Sequence, residues 1–321
     1  MSVTILTAYD QRPDGLDGPD GPDGTGEFAY RAGGTDLQER LRTTGATPHI
    51  LDLTGVPGFA AVERTDDGTT LGAGVTVATL ARDLAGDYPA LALTAGGLAT
   101  PQVRTAATIG GNLLQRTRCW YFRHPHTSCF KSGGDSCPAR DGRHLYGNVF
   151  DTAPCVHPHP SSLAMALLTY AATVDTTQRD GLAVGEVLGD GSDPTRDHLL
   201  ADDEVLTRVV LPPPAPGEQA AYFRSISRFE AEWPLVEAVV RVVRDDAGTV
   251  TSCGVAIGGV APVPLRLGAV EALLTGSTLD DDTVARAAAS AAQGANPLPE
   301  TGYKVALVEA TVREVLERVR G

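Results

Sequence analysis

Four of the five cysteines lie close together, as Cys119, Cys129, Cys137 and Cys155 in the spacing C-x9-C-x7-C-x17-C. Clustered thiols serve a disulfide framework, a metal site or a redox centre. A chain of 321 residues buries a core without staples, and five cysteines are too few, and odd in number, for a disulfide scaffold. The start, Met1-Ser2-Val3-Thr4-Ile5-Leu6, has no basic segment followed by a long apolar run, so no signal peptide is expected. No apolar run approaches the roughly 20 residues of a membrane span. The expectation is a soluble protein in a reducing compartment, where such thiols favour a metal or iron–sulfur site. A net charge of −14 argues against a general nucleic-acid binder.

The thiols sit in a basic island: Arg116, Arg118, Arg123, Lys131, Arg140 and Arg143 stand against Asp135 and Asp141. Such an island is an ordinary solvated loop, a balance for an anionic cluster, or a docking face for an acidic partner. His124, His126, His144, His157 and His159 crowd the same region, as loop histidines or as ligands.

Two glycine pairs stand out upstream. In Phe28-Ala29-Tyr30-Arg31-Ala32-Gly33-Gly34-Thr35-Asp36-Leu37 a strand ends in the double glycine and a helix pattern follows at Leu37 and Leu41. Thr108-Ile109-Gly110-Gly111-Asn112 reads as a second such turn after a short strand. Glycine lets backbone N–H groups approach an anion, so two such turns suit a pyrophosphate held from both sides. Neither is a G-x-G-x-x-G or P-loop pattern. The Asp-Gly-Pro stretch of residues 14–24 reads as a solvated loop, and it lacks the Glu that an EF-hand requires.

The elements that must position these residues alternate between strand and helix. Val3 to Ala8, His49 to Leu53, Thr69 to Thr76, Ala172 to Val174 and Val205 to Leu211 read as strands; Val77 to Asp87 and a segment from Leu163 read as helices. Pro212-Pro213-Pro214-Ala215-Pro216-Gly217 reads as a linker between domains. Beyond it come strand-like runs at Tyr222 to Ser227, Leu235 to Val243 and Val250 to Val260, the last carrying Cys253 as a buried thiol. Asp280 to Asp282 cap an alanine-rich helix, and Val305 to Val319 forms a closing amphipathic helix with Ala306, Val308, Leu316 and Val319 among its apolar positions.

The order of these motifs resembles the FAD-binding medium subunit of molybdenum hydroxylases, the xanthine dehydrogenase, carbon monoxide dehydrogenase and aldehyde oxidoreductase group. The resemblance rests on the two glycine motifs, on Ile257-Gly258-Gly259-Val260-Ala261-Pro262, and on Ala295-Asn296-Pro297-Leu298 with Gly302-Tyr303-Lys304-Val305. Gln115 to Arg123 with the four cysteines is similar to the aldehyde oxidoreductase branch whose FAD subunits carry an extra [4Fe-4S] cluster. The resemblance implies an α+β fold: a two-part FAD-binding domain of the vanillyl-alcohol-oxidase type over residues 1–213, with the cluster loop at 115–160. A smaller domain of antiparallel strands and helices would follow over 217–321. It implies a molybdopterin-binding large subunit and a [2Fe-2S] small subunit as partners, with electrons passing from aldehyde oxidation through [2Fe-2S] centres to FAD and on to an external acceptor. Arg31 to Leu37 and Thr108 to Asn112 match the pyrophosphate loops, and Ser162, Leu206 and Arg224 match positions near the flavin. Cys119, Cys129, Cys137 and Cys155 match the cluster ligands. The compartment is then cytoplasmic, or periplasmic by co-export with a signal-bearing partner.

The chain departs from the family at His159-Pro160-Ser161-Ser162-Leu163-Ala164, where the family has Asp in place of Ser162. A cubane presents its irons in different directions, which suits irregular ligand spacing. Structural zinc commonly uses a close C-x2–4-C pair, absent here. The alternatives are a non-redox protein with a structural zinc site and a stand-alone flavin oxidase.

Overall fold

The computed structural model describes residues 2–11, 28–229 and 231–321. The Asp-Gly-Pro stretch lies outside the described residues. Three parallel strands, β1 (Val3–Ile5), β2 (Phe28–Arg31) and β3 (His49–Asp52), form a sheet in the order β1-β3-β2, with α1 (Leu37–Thr44) connecting β2 to β3. Ala29 and Ile50 meet Leu37 and Leu41 of α1, whereas Phe28 and Leu51 belong to the main core. The two-residue period of a strand separates these sets onto opposite faces.

A second, antiparallel sheet has the order β4-β5-β8-β6-β7: β4 (Val62–Thr65), β5 (Gly68–Gly72), β6 (Thr173–Thr176), β7 (Leu182–Ala183) and β8 (Leu206–Leu211). Between its strands come α2 (Val77–Asp83), α3 (Pro89–Gly97), α4 (Pro101–Ala106), α5 (Ile109–Leu113), α6 (Pro138–Asp141), α7 (Ser162–Thr169) and α8 (Val184–Leu188). In α7 every side chain from Leu163 to Leu167 is fully buried, as befits a helix apolar on all sides. α3 packs against α7 in the same core.

The strand expected before the second glycine pair is absent. Thr100 accepts the Val103 N–H and Pro101 opens α4, so Thr-Pro starts a helix there. The glycines themselves fall in the short α5, capped by Thr108. Only an isolated bridge, Thr76 to Thr108, is extended.

A third sheet, β12-β11-β10-β9, is antiparallel throughout: β9 (Gln219–Ser225), β10 (Val236–Arg244), β11 (Val250–Gly258) and β12 (Leu265–Arg266). Val236, Ala238, Val240 and Val242 of β10 turn to a core shared with α9 (Gly268–Leu274), α10 (Asp281–Ser290) and α11 (Tyr303–Arg320). Val239 of β10, with Tyr222 of β9 and Ala256 of β11, faces the other way, into the first core against α3 and α7. This sheet therefore has two apolar faces, and the odd-numbered residues of β10 look towards the N-terminal half. Two expectations change in detail. Ala306 is exposed on α11, since Val308, Val312, Val315 and Val319 carry its buried stripe. Cys253 is only half buried, at the edge of the second core, beside Glu271 and Thr275.

Candidate functional site

The first glycine segment packs against the chain just ahead of the second, and the second packs on Ala73, which follows β5. A Cβ on Gly33 would lie 1.8 Å from the Ala106 carbonyl, just ahead of α5, and one on Gly110 would lie 2.8 Å from the Ala73 Cβ. Gly34 adopts a left-handed φ of 69°, which glycine reaches without steric cost. Arg31, Ala32, Gly33, Gly34, Thr35, Asp36, Leu37, Thr108, Gly110, Gly111 and Leu206 consequently line one cleft of about 340 Å³. Ile109 does not; it is fully buried and anchors α5 in the core.

A second cavity of about 260 Å³ shares Thr35, Asp36, Gly111 and Gln115 with the first and adds Asn112, Ser162, Arg224 and Trp233. The predicted flavin-side residues, distant in sequence, thus meet along one elongated path. Asn112 also has a scaffold role: its Oδ1 accepts from Ser161 Oγ at 2.7 Å, tying α5 to the start of α7. Ser161 caps α7 through the Ala164 N–H.

The second turn differs from expectation in its donors. The N–H groups of Ile109, Gly110, Gly111 and Asn112 donate to Val75, Ala73, the Thr108 hydroxyl and Thr108 respectively. That segment therefore offers the cleft a surface bared by glycine, while its amides are engaged within the protein.

Asp36 sits at the centre of a cationic cluster. It accepts the Arg116 N–H at 3.0 Å and Arg123 at 2.7 Å, and Arg118 stands 3.1 Å away. Burial opposes its charge, but Arg118, Arg123 and the Arg116 N–H outweigh burial and hold the carboxyl below its usual range. Asp197 does the same further along: it accepts from Arg116 at 2.6 Å and from Lys131 at 3.0 Å. Burial again works against ionisation, and Arg116 and Lys131 overcome it. Arg140 pairs with Asp151 and Arg143 with Glu300. The basic island is therefore not a free docking face, because carboxylates from distant segments pair with it. Sequence reasoning missed Asp197, since its partners Arg116 and Lys131 lie far upstream in the chain.

Cys119, Cys129, Cys137 and Cys155 are free thiols and line one small closed cavity with Lys131, Pro138, Val156 and His157. Burial pushes the Cys119 thiol up to about 11, partly offset by the N–H groups of Phe122 and Tyr121; Cys155 and Cys129 add to the rise. Cys155 is likewise raised by burial, against the pull of Lys131. Among the described residues no three of His, Cys, Asp and Glu converge as on a single ion. Tetrahedral zinc at about 2.3 Å requires sulfurs about 3.8 Å apart. His144, His157 and His159 take places in the scaffold: His144 Nδ1 bonds the Ala139 carbonyl, His157 meets Thr117, and His159 receives the Ser161 N–H.

Comparison with known proteins gives the same picture. The family of the FAD binding domain in molybdopterin dehydrogenase matches residues 25–214, and the CO dehydrogenase flavoprotein C-terminal domain matches 221–319. The chain is 33% identical over 312 residues to the aldehyde oxidoreductase FAD-binding subunit PaoB of Escherichia coli K12, covering 91% of each. It is 25% identical to the carbon monoxide dehydrogenase medium chain of Hydrogenophaga pseudoflava, covering 89% of this chain and 86% of that one. In fold it is similar to CO dehydrogenase from Oligotropha carboxidovorans, with a TM-score of 0.73 at 19% identity over 99% of this chain and 97% of the other. Quinoline 2-oxidoreductase from Pseudomonas putida 86 gives 0.72 at 18% identity, over 99% and 96%. The fold, the meeting of the two glycine segments and these matches make the chain a member of the FAD-binding subunit family of the molybdenum hydroxylases, oxidoreductases in which this subunit transfers electrons.

Proposed function

We propose that this chain is the FAD subunit of an aldehyde-oxidising molybdenum hydroxylase, working with a molybdopterin-binding large subunit and a [2Fe-2S] small subunit. The observation that carries the reading is the single path along which Gly33 to Asp36, Thr108, Gly110 to Asn112, Leu206, Ser162 and Arg224 lie. FAD held there would supply the two-electron chemistry that links the partners to an external acceptor. The chain's own residues position it. Gly33 to Thr35 and the Gly110-Gly111 surface border the pyrophosphate, Leu206 lines the wall, and Ser162 and Arg224 stand by the flavin end. The Asp36 carboxyl holds Arg118 and Arg123 rather than the ligand.

Cys119, Cys129, Cys137 and Cys155 would hold a [4Fe-4S] cluster. Support comes from their shared cavity and from four unbridged thiols, of which Cys119 and Cys129 are buried. The cluster would supply charge for the thiolates and a fixed centre for residues 115–160. The FAD-binding domain is taken as residues 1–213 and the C-terminal domain as 217–321, dividing at the Pro212–Gly217 run. Among the described residues no helix is long and apolar enough to cross a membrane; the compartment, cytoplasm or periplasm, follows that of the partner carrying any export signal.

The test is purification of the tagged chain with its co-expressed neighbours. Stoichiometric FAD and iron in this chain, with molybdenum in a co-purifying subunit that oxidises aldehydes, is the expected result. A colourless chain with one zinc, or flavin turnover without any partner, overturns the reading.

A further inference from the structure

Strand alternation aims Glu237 of β10 at the N-terminal half. Its register neighbours are Arg224 on β9 and Gly258 on β11. A Cβ on Gly258 would stand 2.6 Å from Glu237 Oε1, so the bare backbone makes room for the carboxyl. Tyr222 donates to Glu237 Oε2 at 2.8 Å. Ser162, in the first turn of α7, has a buried Oγ without a hydrogen bond of good geometry, yet it lies close enough to act on both Glu237 and Tyr222. Ser162 and Arg224 also line the second cavity. A carboxyl that this chain lacks at residue 162 is therefore present one layer behind it.

We propose that Glu237 is a positioning residue for FAD, setting through Ser162 the direction of the hydrogen bond offered to the cleft. The inference rests on the FAD reading above. With Glu237 ionised, the Ser162 O–H turns to the carboxylate and the cleft receives a lone pair. With Glu237 protonated, the carboxyl donates to Ser162 Oγ, and the Ser162 hydrogen turns to the cleft. Burial pushes the Glu237 carboxyl up, and Tyr222, Ser162 and Arg224 pull it back. The other charged or titratable groups that line an adjoining cavity with Glu237 are Arg118, Tyr146, His157, His159 and Glu232. Reduction of the flavin adds negative charge to the cleft and favours the protonated carboxyl, with the proton drawn from solvent.

The test is the flavin midpoint potential of the full chain, measured by redox titration across neutral pH. One proton coupled to the two-electron reduction steepens the wild-type curve by up to about 30 mV per pH unit. Glu237→Gln should lose that steeper segment. Tyr222→Phe, which removes a donor to the carboxylate, should move the segment to higher pH. Ser162→Ala should reduce it to less than half. A Glu237→Gln curve superimposable on wild type, with FAD bound, overturns the proposal. If Glu237→Gln loses FAD, an unmoved segment in Tyr222→Phe overturns it instead. A wild-type chain that holds no FAD is a different failure: it removes the cofactor reading itself, and the inference with it.

Discussion

Arg118 and Cys119 are neighbours in the chain but face different cavities. Arg118 lines the flavin-side cavity and stacks 4.5 Å over the Trp233 ring, whereas Cys119 lines the four-thiol cavity. One peptide unit thus connects the two candidate cofactor sites. Asp36 sits behind both, holding Arg118 and Arg123. Removing that charge leaves Arg118 and Arg123, both little exposed, with only the largely exposed Glu39 as an ionic partner.

Asp36→Asn should therefore lower stability by about 3 kcal/mol, the cost of breaking a buried ion pair. FAD retention should fall with it. Denaturant melts of the chain and flavin content after gel filtration check both. Glu39→Gln is the contrast, because Glu39 is largely exposed beside Arg118 and its loss should cost less than about 1 kcal/mol.

The glycine motifs were legible because a Gly-Gly pair is local information, but the close approach at Gly33 and Gly110 is to the Ala106 carbonyl and to Ala73, which the sequence did not announce. The cysteine set was legible for the same reason. The partners were not. Asp197, Glu237 and Trp233 acquire their roles only when segments far apart in sequence meet, and no spacing announces that. The misread element before Thr108 shows a different limit: Thr100-Pro101 starts a helix by capping, and β-branched neighbours masked that signal.

The close approach makes a graded prediction. Gly33→Ala places a methyl against the Ala106 carbonyl, with backbone on both sides and no flexible chain to yield. It should destabilise by about 3 kcal/mol. Gly45→Ala meets open space at a φ of 70°, so only the left-handed backbone opposes it, at about 1 kcal/mol. Chemical denaturation of the two variants should rank them in that order.

Acid should weaken the wall of the first cleft through Glu204. Arg179 bonds its carboxylate at 2.8 and 2.9 Å, Thr176 and the Ala201 N–H add to it, and together they bring Glu204 down to about 2 from an ordinary 4.5. A depressed carboxylate contributes stability that is full above 4.5 and lost as pH falls towards 2. Arg179 is nearly half exposed, so solvent screening reduces the contribution to about 1–2 kcal/mol. Glu204→Gln should flatten the stability–pH curve in that window. A variant curve that falls as steeply as wild type would remove Glu204 from the account of acid sensitivity.

The four thiols should behave as a set. Cys119, Cys129, Cys137 and Cys155 border one cavity, and burial disfavours the thiolates of Cys119 and Cys155 unless a cationic core is present. Replacing any one with Ala removes one anchor of residues 115–160. Iron and sulfide should fall towards zero, or towards a three-iron species, and the loop should become protease-sensitive. Flavin content should drop as well, because Arg116, Arg118 and Arg123 carry the same segment to the cleft through Asp36 and Asp197. Cys253→Ala is the internal control: that thiol lies on β11 against α9, bonding the Glu271 carbonyl, and its loss should leave iron and flavin intact. Iron, sulfide and flavin analysis of the five single variants decides the ligand set. Retention of full iron in Cys129→Ala, with loss in Cys253→Ala, would reverse the assignment.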